Sequence, residues 1–379
     1  MLRLLSLAAA LVAIVIPGTA VAAPVSPTPS PSATFDGPVH SAAYLGNVIY
    51  VGGNFNYATV NGQRIRRTRL AALDARTGAL LNWTPSADGV VTAIAADSTG
   101  VYIAGDFQYV SSSKRDSLAK LDPITGKVRS GFNHRISGHP HTIAVGHGRV
   151  YLGGTITSVG GVARSKAAAF DAATGALDQG WAPVVDDVVR AILPASDRVF
   201  LAGRFGGVNW AEGTQKLAAV TPDTAAVLSG FVSRVHTMVH KLTLANGTLY
   251  AGIDGNGGKA MAMNAATGST KWTVSFDGDP QAIAVLDDTV YIGGHFDWVC
   301  ASDNLGSQGG CLDGSYQRIK LAAFNLNGDL LSWTANGNGT VGVYVLLSHA
   351  GLGQVLAGGE FTMINGSTQP RFALFNLAT

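Results

Sequence analysis

A run of the form Val-Tyr-x-Gly-Gly-x-Phe returns along the whole chain. Its aromatic position, or the residue standing for it, falls at Tyr50, Tyr102, Tyr151, Phe200, Tyr250, Tyr291 and Leu356. Successive positions lie 52, 49, 49, 50, 41 and 65 residues apart, so the period is near fifty, with one shortened and one expanded unit. A fixed period of this length points to an array of supersecondary units rather than to a single irregular core. Within each unit, apolar and small or polar residues alternate and then break at Gly, Asp or Asn, which is strand periodicity followed by turn chemistry. The second unit reads as four strands: Val91 to Ala95, Val101 to Phe107, Leu118 to Asp122, and a last one near Val128 after the Thr125-Gly126 turn. No unit carries a helix-length apolar stripe, so helical solenoids are excluded. The 48 glycines suit many short strands joined by tight turns.

These features predict an all-β fold, a seven-bladed β-propeller of four-stranded antiparallel blades. The chain ends soon after Phe372-Ala373-Leu374-Phe375-Asn376, which aligns with the third strand of other units, so the last blade lacks an outer strand. Ala33-Thr34-Phe35 precedes Asp36-Gly37 much as Val274-Ser275-Phe276 precedes Asp277-Gly278. The expectation is an N-terminal strand near Thr34 and Phe35 that completes the last blade and removes an open sheet edge.

The first residues read as a secretory signal peptide over 1–22. Arg3 is the charged start, Leu4 to Ile16 form the apolar run, and Ala20-Val21-Ala22 is a small-x-small cleavage site. The run is shorter than the ~18 residues of a membrane span. Residues 23–33, rich in Pro, Ser and Thr, read as a flexible linker, with the propeller occupying 34–379. A secreted, extracellular protein with no stable membrane insertion after cleavage is expected. Charged residues make up only 13% of the chain and the net charge is +2, which excludes the electrostatic footprint of a nucleic-acid binder. Cys300 and Cys311 flank the insertion that expands the sixth unit, and outside the cytosol they are expected to form a disulfide.

The repeated strings resemble the exported bacterial β-propellers of the delta-sixty-repeat kind, common in actinobacteria. The carriers are Val48-Ile49-Tyr50-Val51-Gly52-Gly53-Asn54-Phe55 and Leu70-Ala71-Ala72-Leu73-Asp74-Ala75-Arg76-Thr77-Gly78, and the same pair recurs to the C-terminus. The resemblance implies the fold and carries no general activity. A weaker likeness is to quinoprotein propellers, through Ala262-Met263-Asn264-Ala265-Ala266-Thr267-Gly268-Ser269-Thr270-Lys271-Trp272, with Trp83 and Trp181 slightly displaced in their units. Those tryptophans read as docking neighbouring blades, and no cofactor is expected.

No Gly-x-Ser-x-Gly elbow, His-Glu-x-x-His pair or phosphate-binding loop is present, so any site must be assembled from equivalent positions of different blades. The innermost strand of each unit opens with an apolar residue and then one variable residue: His40, Thr92, His141, Arg190, His240, Gln281 and Tyr344. All seven can hydrogen-bond, and one position repeated in every inner strand becomes a ring around the channel. Polar groups there escape the cost of a dry core only if the channel is wet or occupied. A second ring is Asn54, Asp106, Thr155, Arg204, His295 and Glu360. A third, basic and regular, is Arg69, Lys166, Lys216, Lys259, Lys320 and Arg371, with Ser117 as the exception, and it reads as structural.

Tyr57, Tyr109, Trp298 and Trp210 sit in the loops expected on the same face, and the two tryptophans are assigned to the pocket rim. These features lead to a monomeric binding module whose ligand, a glycan or a protein, docks at the channel mouth through the first ring, Trp210 and Trp298. The alternative is a metal-assisted polysaccharide hydrolase or lyase at the same place, with His40, His141 and His240 as ligands. No bound metal is assigned in the favoured reading.

Overall fold

The computed structural model describes residues 23–377. The expected signal peptide therefore lies outside the described residues. Apart from the 3-10 turn Ala350–Leu352, the described elements are strands. Seven antiparallel sheets of three or four strands, each opened by a long inner strand, follow one another among the described residues, with smaller hairpin sheets at their ends. Their first strands are Val39–Leu45, Val90–Asp97, Pro140–Gly146, Val189–Pro194, Val239–Ala245, Pro280–Leu286 and Val343–His349. Each packs against the first strand of the next sheet, and Val343–His349 packs back against Val39–Leu45. Each apolar cluster spans two neighbouring sheets, and one joins Val345, Leu356 and Phe372 of the last sheet to Val39, Val51 and Leu73 of the first.

The third strands explain how the sheets come so close. Leu70-Ala71-Ala72-Leu73 and Ala167-Ala168-Ala169-Phe170 are wholly buried, and their alanines leave room for the aromatic residue of the second strand. That residue meets the tryptophan at the end of its own unit edge-on, with centroids 5.0 Å apart for Tyr50 and Trp83 and 4.9 Å for Tyr151 and Trp181. The Trp83 indole donates to the Asp122 carbonyl of the following unit at 3.0 Å, and Trp181 to Thr221 at 3.3 Å. These tryptophans therefore dock one sheet to the next.

Three expectations need correction. A full fourth strand forms in one sheet, at Thr270–Ser275. In five others the pairing shrinks to a single bridge, such as Leu73 with Leu80 and Phe170 with Leu177. Thr270-Lys271-Trp272-Thr273-Val274-Ser275 is a run of strand formers, whereas Trp83-Thr84-Pro85 and Trp181-Ala182-Pro183 bring a proline that cannot donate to a ladder.

Thr34–Phe35 pairs with Tyr57–Val60 of the first unit and not with the last sheet. Residues 25–30, expected within the linker, are the ones that run antiparallel to Phe372–Asn376. Val25 bridges Leu377, and the Ser26 and Ser30 amides donate to Asn376 and Leu374, both at 2.7 Å. Val25 is only 1% exposed, its amide donates to the Tyr291 hydroxyl at 2.8 Å, and its carbonyl accepts the Trp333 indole at 2.7 Å. The prolines suit this role. Ser26 and Ser30 supply the inward donors, while Pro27, Pro29 and Pro31 have no amide to leave unpaired.

Candidate functional site

The geometry begins with the Gly-Gly of the repeat. Val39 pairs with Gly53 and Ser41 with Gly52, so His40 is left over as the extra residue of a β-bulge. The same register shift skips Thr92, His141, Arg190, His240, Gln281 and Tyr344 in the other six sheets. A bulge re-aims the side chain it carries, and here it does so at every member of the first ring. In six of the seven sheets the residue opposite the bulge is glycine, the fifth carrying Ile253 instead, and in those six the backbone approaches closely. A Cβ on Gly53 would stand 2.0 Å from the Pro38 carbonyl oxygen, and one on Gly294 would stand 2.1 Å from that of Asp279.

The seven bulge residues, together with Lys241, line one cavity of about 380 Å³. All eight are part-buried. Lys241 is the member that sequence reasoning missed. Its position holds Ser41, Ala93, Thr142, Ala191, Ala282 and Val345 in the other units, all of them buried. Ser41 there accepts the Ile94 amide of the next sheet at 3.0 Å, a packing role no ammonium could fill. The available signal was this break in the small-residue pattern.

The second ring gains a member as well. Asn54, Thr155, Arg204, His295 and Glu360 donate their amides to Pro38, His139, Val188, Asp279 and Gly342, at the ends of the sheets where the bulges lie. The Asp254 amide donates to Met238 in the same way, at 2.9 Å. The fifth unit reads Gly252-Ile253-Asp254-Gly255 and has lost the phenylalanine that marks the position elsewhere. The acidic side chains in this ring shape the cavity's electrostatics, and Asp106 holds His139 Nδ1 at 2.7 Å.

Six of the seven positions of the basic ring share one local backbone role, while Lys259 opens the strand Lys259–Asn264 instead. Arg69, Ser117, Lys166, Lys216, Lys320 and Arg371 share a left-handed backbone with φ between 63° and 70°. Their amides close a bend by donating to Phe55, Phe107, Ile156, Phe205, Phe296 and Phe361. Lys216 Nζ caps the Arg204 carbonyl at 2.7 Å, and Lys320 pairs with Asp297 at 2.8 Å.

Within the cavity the imidazoles are held neutral. Burial, reinforced by the Arg190 charge and His139, lowers His141 to about 4 despite Asp106. Burial also lowers His40 against the pull of Glu360, and lowers His240 against Asp279 and Asp254. Tyr344 is pushed up, chiefly by burial and further by Glu360, and its ring stacks 5.2 Å from His40. Thr92 is already engaged, donating to the Pro140 carbonyl at 2.9 Å. His240 Nε2 and Arg190 Nε are buried without a hydrogen-bond partner among the described residues.

Among those residues no group of three or more His, Cys, Asp or Glu could hold a metal ion. His40, His141 and His240 share the cavity and do not form such a group among the described residues. Trp210 and Trp298 do not line the cavity. Trp298 is 39% exposed on the hairpin that follows the second strand of its unit, and Trp210 is 84% exposed in a turn. Tyr57 is covered by the Arg64 guanidinium at 4.2 Å, while Tyr109 stands exposed. The hairpins are fixed by carboxylates, as where Asp277 accepts the Asp297 and Trp298 amides, both at 2.9 Å. Cys300 and Cys311 form the expected disulfide across the sixth hairpin, with Cα atoms 5.1 Å apart.

Residues 353–377 match a family model described as a domain of unknown function (DUF5122) beta-propeller. No curated protein matches the sequence. Among solved structures the chain is similar to the WD40 beta propeller domain of Doa1, with a TM-score of 0.57 at 11% identity over 93% of this chain and 97% of that one. It is similar to the computationally designed Ika8 protein, with a TM-score of 0.51 at 14% identity over 91% and 98%. BamB from Moraxella catarrhalis follows, with a TM-score of 0.50 at 17% identity over 92% and 99%. At these identities the likeness establishes the fold alone: the chain is an all-β propeller.

Proposed function

We propose that this protein is an exported, seven-bladed β-propeller that binds a glycan or a protein through the face on which the channel opens. The blade count is supported by the seven sheets and by the packing of the last first-strand on the first. Closure by an N-terminal outer strand is supported by the bonds from Ser26 and Ser30 to the last sheet, although the strand lies earlier than Thr34. Export, release and membership of the bacterial delta-sixty-repeat kind rest on the sequence: the apolar run before Ala20-Val21-Ala22 and the paired repeat strings. No helix among the described residues is long and apolar enough to cross a membrane.

One observation carries the binding reading. Seven bulges direct seven side chains of five types into one cavity, and two of those side chains keep a buried nitrogen unpartnered. A channel that only had to hold the sheets together could repeat one small residue at all seven positions. Unpaired buried donors cost about 1–3 kcal/mol each, which a bound ligand offsets. The test is a glycan array and a protein-capture screen with the mature protein, followed by titration of the hit against His141→Ala and His240→Ala. At least tenfold weaker binding, about 1.4 kcal/mol, with an unchanged melting temperature is the expected result. Lost stability at unchanged affinity would show that the ring only holds the sheets together.

A further inference from the structure

We infer that the cavity is a site for a compact anion, a single carboxylate or sulfate group free or on a sugar, held between Arg190 and Lys241. The inference rests on the binding reading above and specifies the chemistry of its ligand. Arg190 and Lys241 come from adjacent sheets and line the same space. Neither side chain makes a hydrogen bond to any described residue, and neither takes part in an ion pair. None of the eight lining residues is a carboxylate.

Two part-buried cations in one cavity whose walls carry no carboxylate, with only Asp254 acting through space on Arg190, form an unfavourable arrangement for an empty site. Burial lowers the pKa of both, and at Arg190 the Arg204 charge adds to the effect against the pull of Asp254. An anion placed between them removes the conflict. Arginine presents a planar fork that matches a carboxylate or sulfate, and lysine adds a point charge. The neutral His141 and His240 flank the pair and can donate without adding charge. Gln281 of the next sheet offers a partner for a sugar hydroxyl.

The surrounding acids set the size of the ligand. Asp106, Asp254 and Glu360 occupy the second ring, and Asp254 and Asp279 act through space on His240. Burial pushes the Asp279 carboxyl up, but the other acids at the mouth disfavour a polyanion threading past them. One small anionic group can reach the cations, whereas a run of phosphates cannot. A cavity of about 380 Å³ matches a single sugar residue or smaller.

The test uses the mature protein at constant ionic strength, with glucuronate, glucose, acetate and sulfate as probes, read by melting temperature and by calorimetry. Saturable stabilisation by glucuronate but not by glucose is expected. Lys241→Ser, which restores the residue type of Ser41, and Arg190→Gln should each weaken it at least tenfold. If acetate and sulfate act as well as glucuronate, the site takes the free anion; if glucuronate alone acts, the sugar ring is part of recognition. No response to any anion, or an equal response in Lys241→Ser, would overturn the inference. A neutral array hit lost in His141→Ala but kept in Lys241→Ser would overturn it while leaving the binding reading intact.

Discussion

Replacing Val25 with alanine tests whether the N-terminal segment is part of the fold or a tether outside it. The side chain is 1% exposed and packs with Tyr291, Trp333 and Phe375. Removing two methyl groups forfeits about 1.6 kcal/mol of transfer free energy at ~0.8 kcal/mol each. The residual cavity raises the expected loss to about 2–3 kcal/mol. Trp333→Phe attacks the same junction differently, because it leaves the Val25 carbonyl without the indole donor at 2.7 Å. An orphaned buried acceptor costs about 1–3 kcal/mol. Because the two residues touch, the double variant should depart from additivity by more than about 0.5 kcal/mol. Urea unfolding followed by tryptophan fluorescence and by circular dichroism reads all three. A variant starting at Thr34 should lose more and should aggregate, since Phe372–Asn376 would become an open edge. If Val25→Ala stays within about 0.5 kcal/mol of the parent, as an exposed position would, the docking argument fails.

Three further outcomes follow from the same geometry. Gly294→Ala would set a Cβ 2.1 Å from the Asp279 carbonyl oxygen, a backbone clash no rotamer relieves; a loss of at least about 1–3 kcal/mol on urea unfolding is expected, and full stability would dismiss the steric account of Gly-Gly. Cys300 and Cys311 close a loop with a sequence separation of 11, so Cys300→Ser with Cys311→Ser should cost up to about 3 kcal/mol; an unchanged melting temperature on reduction would show that the hairpin opens without the sheets. His141 titrates near 4 in the fold against an ordinary 6.5, so the unfolded chain takes up its proton first. Stability should therefore be full above pH 6.5 and fall as the pH drops toward and through 4, with His40 and His240 acting in the same direction. Unfolding midpoints from pH 7 to 4 should show a shallower slope for His141→Gln, and parallel slopes would assign the acid sensitivity elsewhere.

The sheets were legible because one short string encodes three physical requirements at once: an aromatic to pack on the terminal tryptophan, glycines to admit the bulge, and a turn. The first ring could be found by aligning those strings, since a bulge leaves its residue type free while fixing its neighbours. The N-terminal strand was not legible. A single apolar residue, Val25, anchors a segment whose composition is that of a linker, and its alternating prolines look like disorder until the inward donors Ser26 and Ser30 are seen. The fourth strands were overcounted because Asp-x-x-Thr-Gly announces a turn without saying how far the next strand runs.

Lys241 and Asp254 were hidden for a related reason. Both lie in the fifth unit, the shortest, where Ile253 replaces the second glycine and the marker phenylalanine is absent. A repeat makes equivalent positions readable only while its markers persist, and an array is free to differ where they lapse. The departures here are not scattered. Arg190, His240, Lys241 and Asp254 belong to the fourth and fifth units, so the two cations among the described residues that line the cavity stand on one side of the ring. The opposite side carries the His40–Tyr344 stack and the Glu360 charge. A ligand bound along an axis of pseudo-symmetry would otherwise have seven equivalent orientations. If its anionic group is held by Arg190 and Lys241, as inferred above, that equivalence is broken and one orientation is favoured.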